Sequence, residues 1–389
     1  MTDSLKRVLS ITGAFPKLPC GVGDYTYQLM KTLTQYVPEI HILTLKHNAV
    51  ISNPQAPLGM HIHSEIPAWS LQNMPVITKV CQQVAPDIVH IQYPSTFGKG
   101  NRTVAANLVG IGSKKSLPRK TPVITTLHEF TERSLRWRLR AIINILTSDH
   151  IICANRFDVD AVKIVSMGRK RVSYIPIASA IPVVAQSDAE KNQRRESLQI
   201  SGSDITIAYF GFVTDQKGFD VLLQAMHLLR AKKVPAKLLI LTKLDPQNSY
   251  HRAQIEQIGK LGIQESCLLG EKHYTEQEVS AFLQIADLAV FPFAEGTSDR
   301  RSSMLAALQH NLPTITTAGR STPPNFIHAQ NMLFVPPSRP DCLSESIMQL
   351  IADADLRQRL RRGAKELSVH YSWDAIAQRT LEVYHQSTS

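Results

Sequence analysis

The sequence predicts an α/β protein of two doubly wound, Rossmann-like domains that face each other across a cleft. Three observations predict it. Short β-branched, apolar runs alternate with amphipathic stretches from one end of the chain to the other. Those runs read as strands buried on both faces, which is the pattern of a parallel sheet covered by helices above and below. The alternation also comes as two series, separated after Pro182 by a polar stretch at residues 186–196.

The first series consists of predicted strands at residues 8–12, 41–45, 88–92, 123–127, 150–154 and 173–176. Helical spacing marks residues 24–36 and 71–84 between them. The second series has predicted strands at 206–210, 237–241, 267–269, 288–291, 314–316 and 333–335, with helices at 218–232, 275–285 and 302–310. A last helix at about 372–385 follows a Tyr-Ser-Trp segment. The reading is therefore a first domain over 1–180, a second over 181–370, and a terminal segment, 371–389, that packs back on the first.

The 389 residues include 43% hydrophobic and 19% charged residues, enough apolar mass for sizeable cores, so disorder is not expected. No apolar run approaches the length of a membrane-spanning helix. Residues 8–15 follow Lys6-Arg7 as a signal peptide would, but the stretch is short and stops at Pro16, so a first strand is expected. Five scattered cysteines with no CxxC pair point to a reducing, cytoplasmic compartment, with neither a disulfide framework nor a zinc site. Charge is uneven: residues 1–180 hold 21 Lys and Arg against 10 Asp and Glu, whereas residues 181–389 hold 22 of each. The basic half implies an anionic partner such as a membrane surface or a phosphorylated acceptor. A nucleic-acid partner is not expected, because no recognition motif accompanies the charge and aromatics are only 6%.

Doubly wound sheets bind ligands beyond the carboxyl ends of their strands, which selects a few loops for chemistry. After the first strand, Gly21-Val22-Gly23 allows close backbone approach ahead of a helix expected to start near Asp24. It is not a dinucleotide fingerprint, since Thr26 stands where a third glycine belongs. After the strand at 123–127 comes His128, placed to donate to a sugar or phosphate oxygen. Next, Leu135, Leu139, Ile142, Ile143 and Leu146 fall on one helical face, expected to pack inward. Arg133, Arg136, Arg140 and an exposed Trp137 project elsewhere, toward an anionic bilayer surface. In the second half, Gly211 and Lys217 sit in a glycine loop before a helix and suit a diphosphate, with Lys217 as a point charge. Residues 291–308 carry Arg300 and Arg301 near a helix start, where two cations oppose the helix dipole unless an anion lies between them. Asp158-Val-Asp160 imitates a metal-binding pair but lies in an apparent helix start, so no metal is expected there.

In this order the segments resemble the family 4 glycosyltransferases of GT-B fold. The resemblance rests on Gly21-Val22-Gly23, Asp87-Ile-Val-His90, Thr126-Leu-His128, Gly211 with Lys217-Gly218, Ala286-Asp287, Ala306-Ala307-Leu308 before Leu312-Pro313, and Tyr371-Ser-Trp373. It implies a retaining, metal-independent glycosyltransferase with no cofactor. The donor would be a UDP- or GDP-linked sugar and the acceptor a glycan or lipid-diphosphate in bacterial surface polysaccharide assembly. By resemblance His128 contacts the transferred sugar, Lys217 the donor diphosphate, and Glu295, Gly296, Thr297, Ser298, Arg300, Arg301, Ser302 and Ser303 hold sugar and phosphates. His128, Lys217, Arg300 and Arg301 are the expected catalytic set.

Two departures stand out. Phe212 occupies the place of a family arginine, and neither register of the family's Glu-x7-Glu gives two carboxylates. Counting from Pro313 puts Ser298 and Ala306 there, and counting from Glu295 puts Ser303 second. The expectation is that Arg300 or Arg301 replaces the missing cation. The alternative reading is a catalytically weak or inactive nucleotide-sugar-binding scaffold of the same fold.

Overall fold

The first of two parallel sheets is built from β1 (Arg7–Ile11), β2 (Glu39–Leu45), β3 (Met60–Ile66), β4 (Ile88–Tyr93), β5 (Val123–Leu127), β6 (His150–Cys153) and β7 (Arg171–Tyr174), in the order β3-β2-β1-β4-β5-β6-β7. The second holds β8 (Ile205–Phe210), β9 (Ala236–Leu241), β10 (Cys267–Leu269), β11 (Leu288–Phe291), β12 (Thr314–Thr317) and β13 (Leu333–Val335), in the order β10-β9-β8-β11-β12-β13. The computed structural model describes residues 5–13, 15, 20–46, 56–68, 71–93, 109–118 and 121–388. The chain divides into two compact units, Met1–Ala178 with Trp373–Ser389, and Ser179–Ser372.

Alternation along the strands supplies both faces of the first sheet. Val8, Ile40, Ile42, Ile88, Ile124 and Ile152 join one core with Leu29 and Leu33, whereas Leu9, Leu43, Val89, Ile91 and Ile151 join the other with Val80, Cys81, Ala141 and Ile145. The terminal helix Trp373–Thr388 belongs to the first of these cores, burying Ile376, Ala377, Leu381 and Tyr384. The larger of these side chains each contribute on the order of 1.5–3 kcal/mol.

The aspartates of two sequence motifs have a structural task. Asp87 stands immediately before β4 and accepts the N–H groups of Lys6 and Arg7 at 2.8 Å each, while its own N–H donates to the Arg7 carbonyl. Asp149 does the same for Val123 at 2.7 Å and Asp287 for Thr206 at 2.8 Å. Each aspartate thereby pins the start of the neighbouring strand and fixes its register.

Three elements differ from the sequence reading in kind or in bounds. The strand β3 was not expected; its sequence, Met-His-Ile-His-Ser-Glu-Ile, alternates as an edge strand does rather than reading as a buried run. The polar stretch after Pro182 is a helix, Asp188–Ser197, started by a capping box in which Ser187 and Glu190 satisfy each other's backbone N–H groups. The helix after β1 starts at Gly21, three residues early, so the Gly-Val-Gly segment is its first turn.

Four histidines of the first unit, His41, His63, His90 and His150, are held below the usual imidazole range chiefly by burial, His90 at about 3 and His150 at about 4. A histidine depressed on folding is neutral in the folded chain but takes up a proton on unfolding. Its stabilisation is therefore complete above about 6.5 and is lost as pH falls through that value toward the folded one. The first unit is expected to need less denaturant at pH 5 than at pH 7.5. Trp137 and Trp373 lie in that unit and residues 179–372 contain no tryptophan, so tryptophan fluorescence during urea unfolding measures it; an unchanged midpoint would contradict the assignment.

Candidate functional site

Strand order reverses direction between β8 and β11, and the loops leaving those two strands form the switch point where such sheets take their ligands. Residues 211–218 leave β8 and residues 292–301 leave β11. The N–H of Ala294 donates to the Gln216 carbonyl at 3.1 Å, which joins the loops. The short turn Asp215–Lys217 then delivers Lys217 onto the face of Phe293, its Nζ 5.0 Å from the ring centre. Arg301 lies over the same ring, with Cζ at 4.6 Å. The platform residue, Phe293, was not singled out by the sequence, although it stands two residues past a strand end.

Burial, and secondarily the Arg301 charge, press the Lys217 ammonium down to about 8. Two cations lie against one aromatic ring, and no salt bridge to Lys217 is found among the described residues. Arg301 is also the residue before the helix Ser302–Gln309, where no side chain caps the first turn. Outward N–H groups and two cations at one place are the groups that suit an anion. Ser303 packs on Gly211: a Cβ there would lie 3.2 Å from the serine Cβ and Oγ.

The rest of the predicted donor loop is a packed support. Thr297 is fully buried; its N–H donates to the Thr317 carbonyl at 2.8 Å and its hydroxyl to the Met304 sulfur at 3.0 Å. Gly296, at φ +87°, lies so close to Gly319 that a Cβ would sit 2.4 Å from that residue's nitrogen. Ser298 is buried and its carbonyl accepts the Arg301 N–H at 3.2 Å. Glu295 and Ser302 are exposed, and Arg300 is half-buried. Of the arginine pair, it is Arg301 that shares the ring with Lys217. Phe212 is 73% exposed beside these groups.

In the first unit, His128 follows β5 and is buried, its Nε2 2.9 Å from the Gln92 Oε1. Tyr25, two residues beyond Gly23, meets His128 edge-on at 4.8 Å, which brings the Gly21, Val22, Gly23 turn and the histidine together. Trp373 packs on the same tyrosine at 5.4 Å.

In the helix Leu135–Thr147 three of the five residues expected to pack inward face outward, and Ile142 and Ile143 are half-buried. Ala141, Asn144 and Ile145 are buried, Trp137 packs on Tyr93 at 5.3 Å, and Leu135, Leu139 and Leu146 are 65%, 56% and 47% exposed. The reason is that Trp137, with the small Ala141 and the polar Asn144, fills the sheet-facing side. Asn144 accepts the Gly110 N–H at 3.2 Å, a contact at a spot where a Cβ on Gly110 would clash. Arg133 is ion-paired with Glu129 and stacks on Trp137, while Arg136 and Arg140 are exposed. Asp158 is buried and accepts the Thr131 N–H and hydroxyl at 2.8 and 2.5 Å, holding the turn after His128, whereas Asp160 is exposed. Among the described residues no group of three or more His, Cys, Asp or Glu is arranged to hold a metal ion. Among the described residues no helix is long and apolar enough to cross a membrane.

Two parallel sheets of this topology, each with its own helical layers, define the two-domain fold of the GT-B glycosyltransferases. Residues 19–178 match the family model described as Glycosyltransferase Family 4 and residues 190–367 the one described as Glycosyl transferases group 1, and the chain belongs to family 4. It is 22% identical over 236 residues to a D-inositol 3-phosphate glycosyltransferase of Jonesia denitrificans, covering 59% of this chain and 52% of the relative. The chain spans about half the length of the curated relatives it matches. Among solved structures it is similar to a glycosyltransferase of Rickettsia africae, at 14% identity, TM-score 0.78 and 98% coverage of both chains. It is also similar to Anabaena HepE in complex with UDP, at 15% identity, TM-score 0.74, and 97% and 99% coverage.

Proposed function

We propose that this chain is a retaining, metal-independent glycosyltransferase that moves a sugar from a UDP- or GDP-linked donor to a glycan or lipid-diphosphate acceptor in bacterial surface polysaccharide assembly. The observation that carries the reading is the pair Lys217 and Arg301 on Phe293 at an uncapped helix N-terminus. Departure of a nucleoside diphosphate concentrates negative charge on its outer phosphate, and fixed cations and amide dipoles stabilise that charge as it develops. The UDP and UDP-glucose complexes of the similar Anabaena protein support a uridine diphosphate donor. His128, beside the Gly21–Gly23 turn, is the group of the first unit assigned to the transferred sugar.

A panel of UDP- and GDP-sugars tests this by thermal shift, followed by transfer to lipid-diphosphate acceptors in the presence of a chelator and NMR of the product's anomeric configuration. Stabilisation by none of the donors rejects the reading. Stabilisation without turnover on any acceptor favours the alternative of a nucleotide-sugar-binding scaffold, which draws support from the buried Ser298 and Ala306 standing where the family has carboxylates.

The acceptor side is assigned to an anionic membrane surface. Leu135, Leu139 and Leu146 form an exposed apolar stripe, Arg136 and Arg140 flank it, and the helix contains no acidic residue. Such a face lies in the headgroup region, with each arginine near the surface contributing about 1 kcal/mol. Sedimentation with phosphatidylglycerol vesicles is expected to pellet the wild type. The Leu139→Ser and Arg136→Gln/Arg140→Gln variants should stay in solution, while Arg133→Gln, whose side chain already pairs with Glu129, should pellet like the wild type. Equal pelleting of all variants would remove this face as the anchor.

A further inference from the structure

Buried polar side chains in a sheet must be satisfied by one another, and in the first unit they form a chain that reaches His128. Tyr384 of the terminal helix is fully buried, with its hydroxyl 2.7 Å from His90 Nδ1. His90 Nε2 lies 2.7 Å from Thr126 Oγ1 and 3.3 Å from the Gln92 amide nitrogen. The Gln92 Oε1 is 2.9 Å from His128 Nε2. His90, Gln92, Thr126 and Tyr384 have no exposed surface, so water cannot substitute for a missing partner.

Donor and acceptor chemistry gives this chain a direction. The Gln92 NH2 only donates, so His90 Nε2 accepts from it and from the Thr126 hydroxyl. His90 stays neutral because burial presses its imidazole down to about 3, and its single proton is therefore on Nδ1, donated to the Tyr384 oxygen. At the other end the Gln92 Oε1 only accepts, so His128 carries a proton on Nε2. A second, reversed arrangement is equally self-consistent. In it Tyr384 donates to His90 Nδ1, His90 Nε2 donates, the Gln92 amide is turned over, and His128 Nε2 becomes an acceptor. The Gln92 orientation in the structure corresponds to the first, and the tautomer of His128 in the wild type tests it.

We infer that His90, Gln92 and Tyr384 are positioning residues that set which nitrogen of His128 carries its proton, with Tyr384 on the terminal helix as the selector. A phenylalanine at 384 cannot accept from His90 Nδ1. The ring then keeps one proton but carries it on Nε2, Gln92 turns, and the His128 proton moves to Nδ1 by exchange with water. The consequence for catalysis rests on the glycosyl-transfer reading; the consequence for the His128 tautomer does not.

Nitrogen NMR of the full-length, 15N-histidine-labelled protein, with His128 assigned by substitution to glutamine, reads the tautomer directly. The wild type is expected to show Nε2–H and Tyr384→Phe to show Nδ1–H, with a lowered melting temperature because the buried His90 Nδ1 loses its partner. In Gln92→Leu, which cuts the chain, adding Tyr384→Phe is expected to leave His128 unchanged. With an active donor and acceptor pair, Tyr384→Phe should lower kcat about tenfold, the equivalent of one misdirected hydrogen bond, and leave the donor KM within about twofold. An identical His128 tautomer in wild type and Tyr384→Phe overturns the inference, and so does Nδ1–H in the wild type. Tautomers as expected in a protein that transfers no sugar leave the relay standing and count against the proposed function alone.

Discussion

Replacing Lys217 by alanine is expected to weaken nucleoside diphosphate binding by about 10- to 100-fold, because a charge-assisted hydrogen bond to a phosphate is worth about 1.5–3 kcal/mol. Isothermal titration with UDP and GDP measures it, on whichever of the two the wild type binds. Arg301→Ala should lose a comparable factor, and the double variant less than the product of the two, since both side chains lie against the Phe293 ring and the Arg301 charge presses on Lys217. Arg300→Ala, whose side chain is not on that ring, should lose less. The pH dependence adds a signature. Lys217 releases its proton near 8, so affinity should fall as pH rises through that region, and Lys217→Arg should abolish the fall because guanidinium stays charged. Binding by Lys217→Ala and Arg301→Ala indistinguishable from wild type would remove the anion site altogether.

Gly218→Ala is expected to cost on the order of 3 kcal/mol or more of stability, and with it donor binding. Gly218 has φ +65°, and a Cβ there would sit 1.9 Å from the Pro292 carbonyl oxygen. The methyl group would wedge apart the two loops whose contact brings Lys217 to Phe293. Gly168→Ala is the matched control: its φ is +68°, yet nothing lies within 4 Å of the new carbon. It should cost only the left-handed backbone strain, about 1–2 kcal/mol. Melting temperatures of the two variants measure the difference, and equal shifts would mean that the loops do not pack as described.

Much of the fold is legible in the residues because parallel strands buried on both faces leave an unambiguous apolar signature, and twelve of the thirteen strands among the described residues were read from it. The exception, β3, lies at the sheet edge, where alternating histidines replace the apolar run. The helix Asp188–Ser197 has no buried residue, so hydrophobic periodicity could not show it; its capping box at Ser187 and Glu190 was the available signal. The orientation of Leu135–Thr147 was misread for a related reason. Its largest apolar stripe points outward, and the inward side is chosen by Trp137, Ala141 and Asn144, which the apolar count ranks lower.

Sequence alone determined the alternation of strands and helices, the division into two series, the basic first half and the loops that follow strand ends, because each of these is written in neighbouring residues. Only the folded chain decided that Lys217 and Arg301 meet on Phe293, and that Tyr384, at the far end of the chain, reaches His90 and through Gln92 the side chain of His128. Those meetings depend on strand order and on which sheet face a distant helix covers. Both are set by packing between segments far apart in the chain, and no local pattern of residues encodes them.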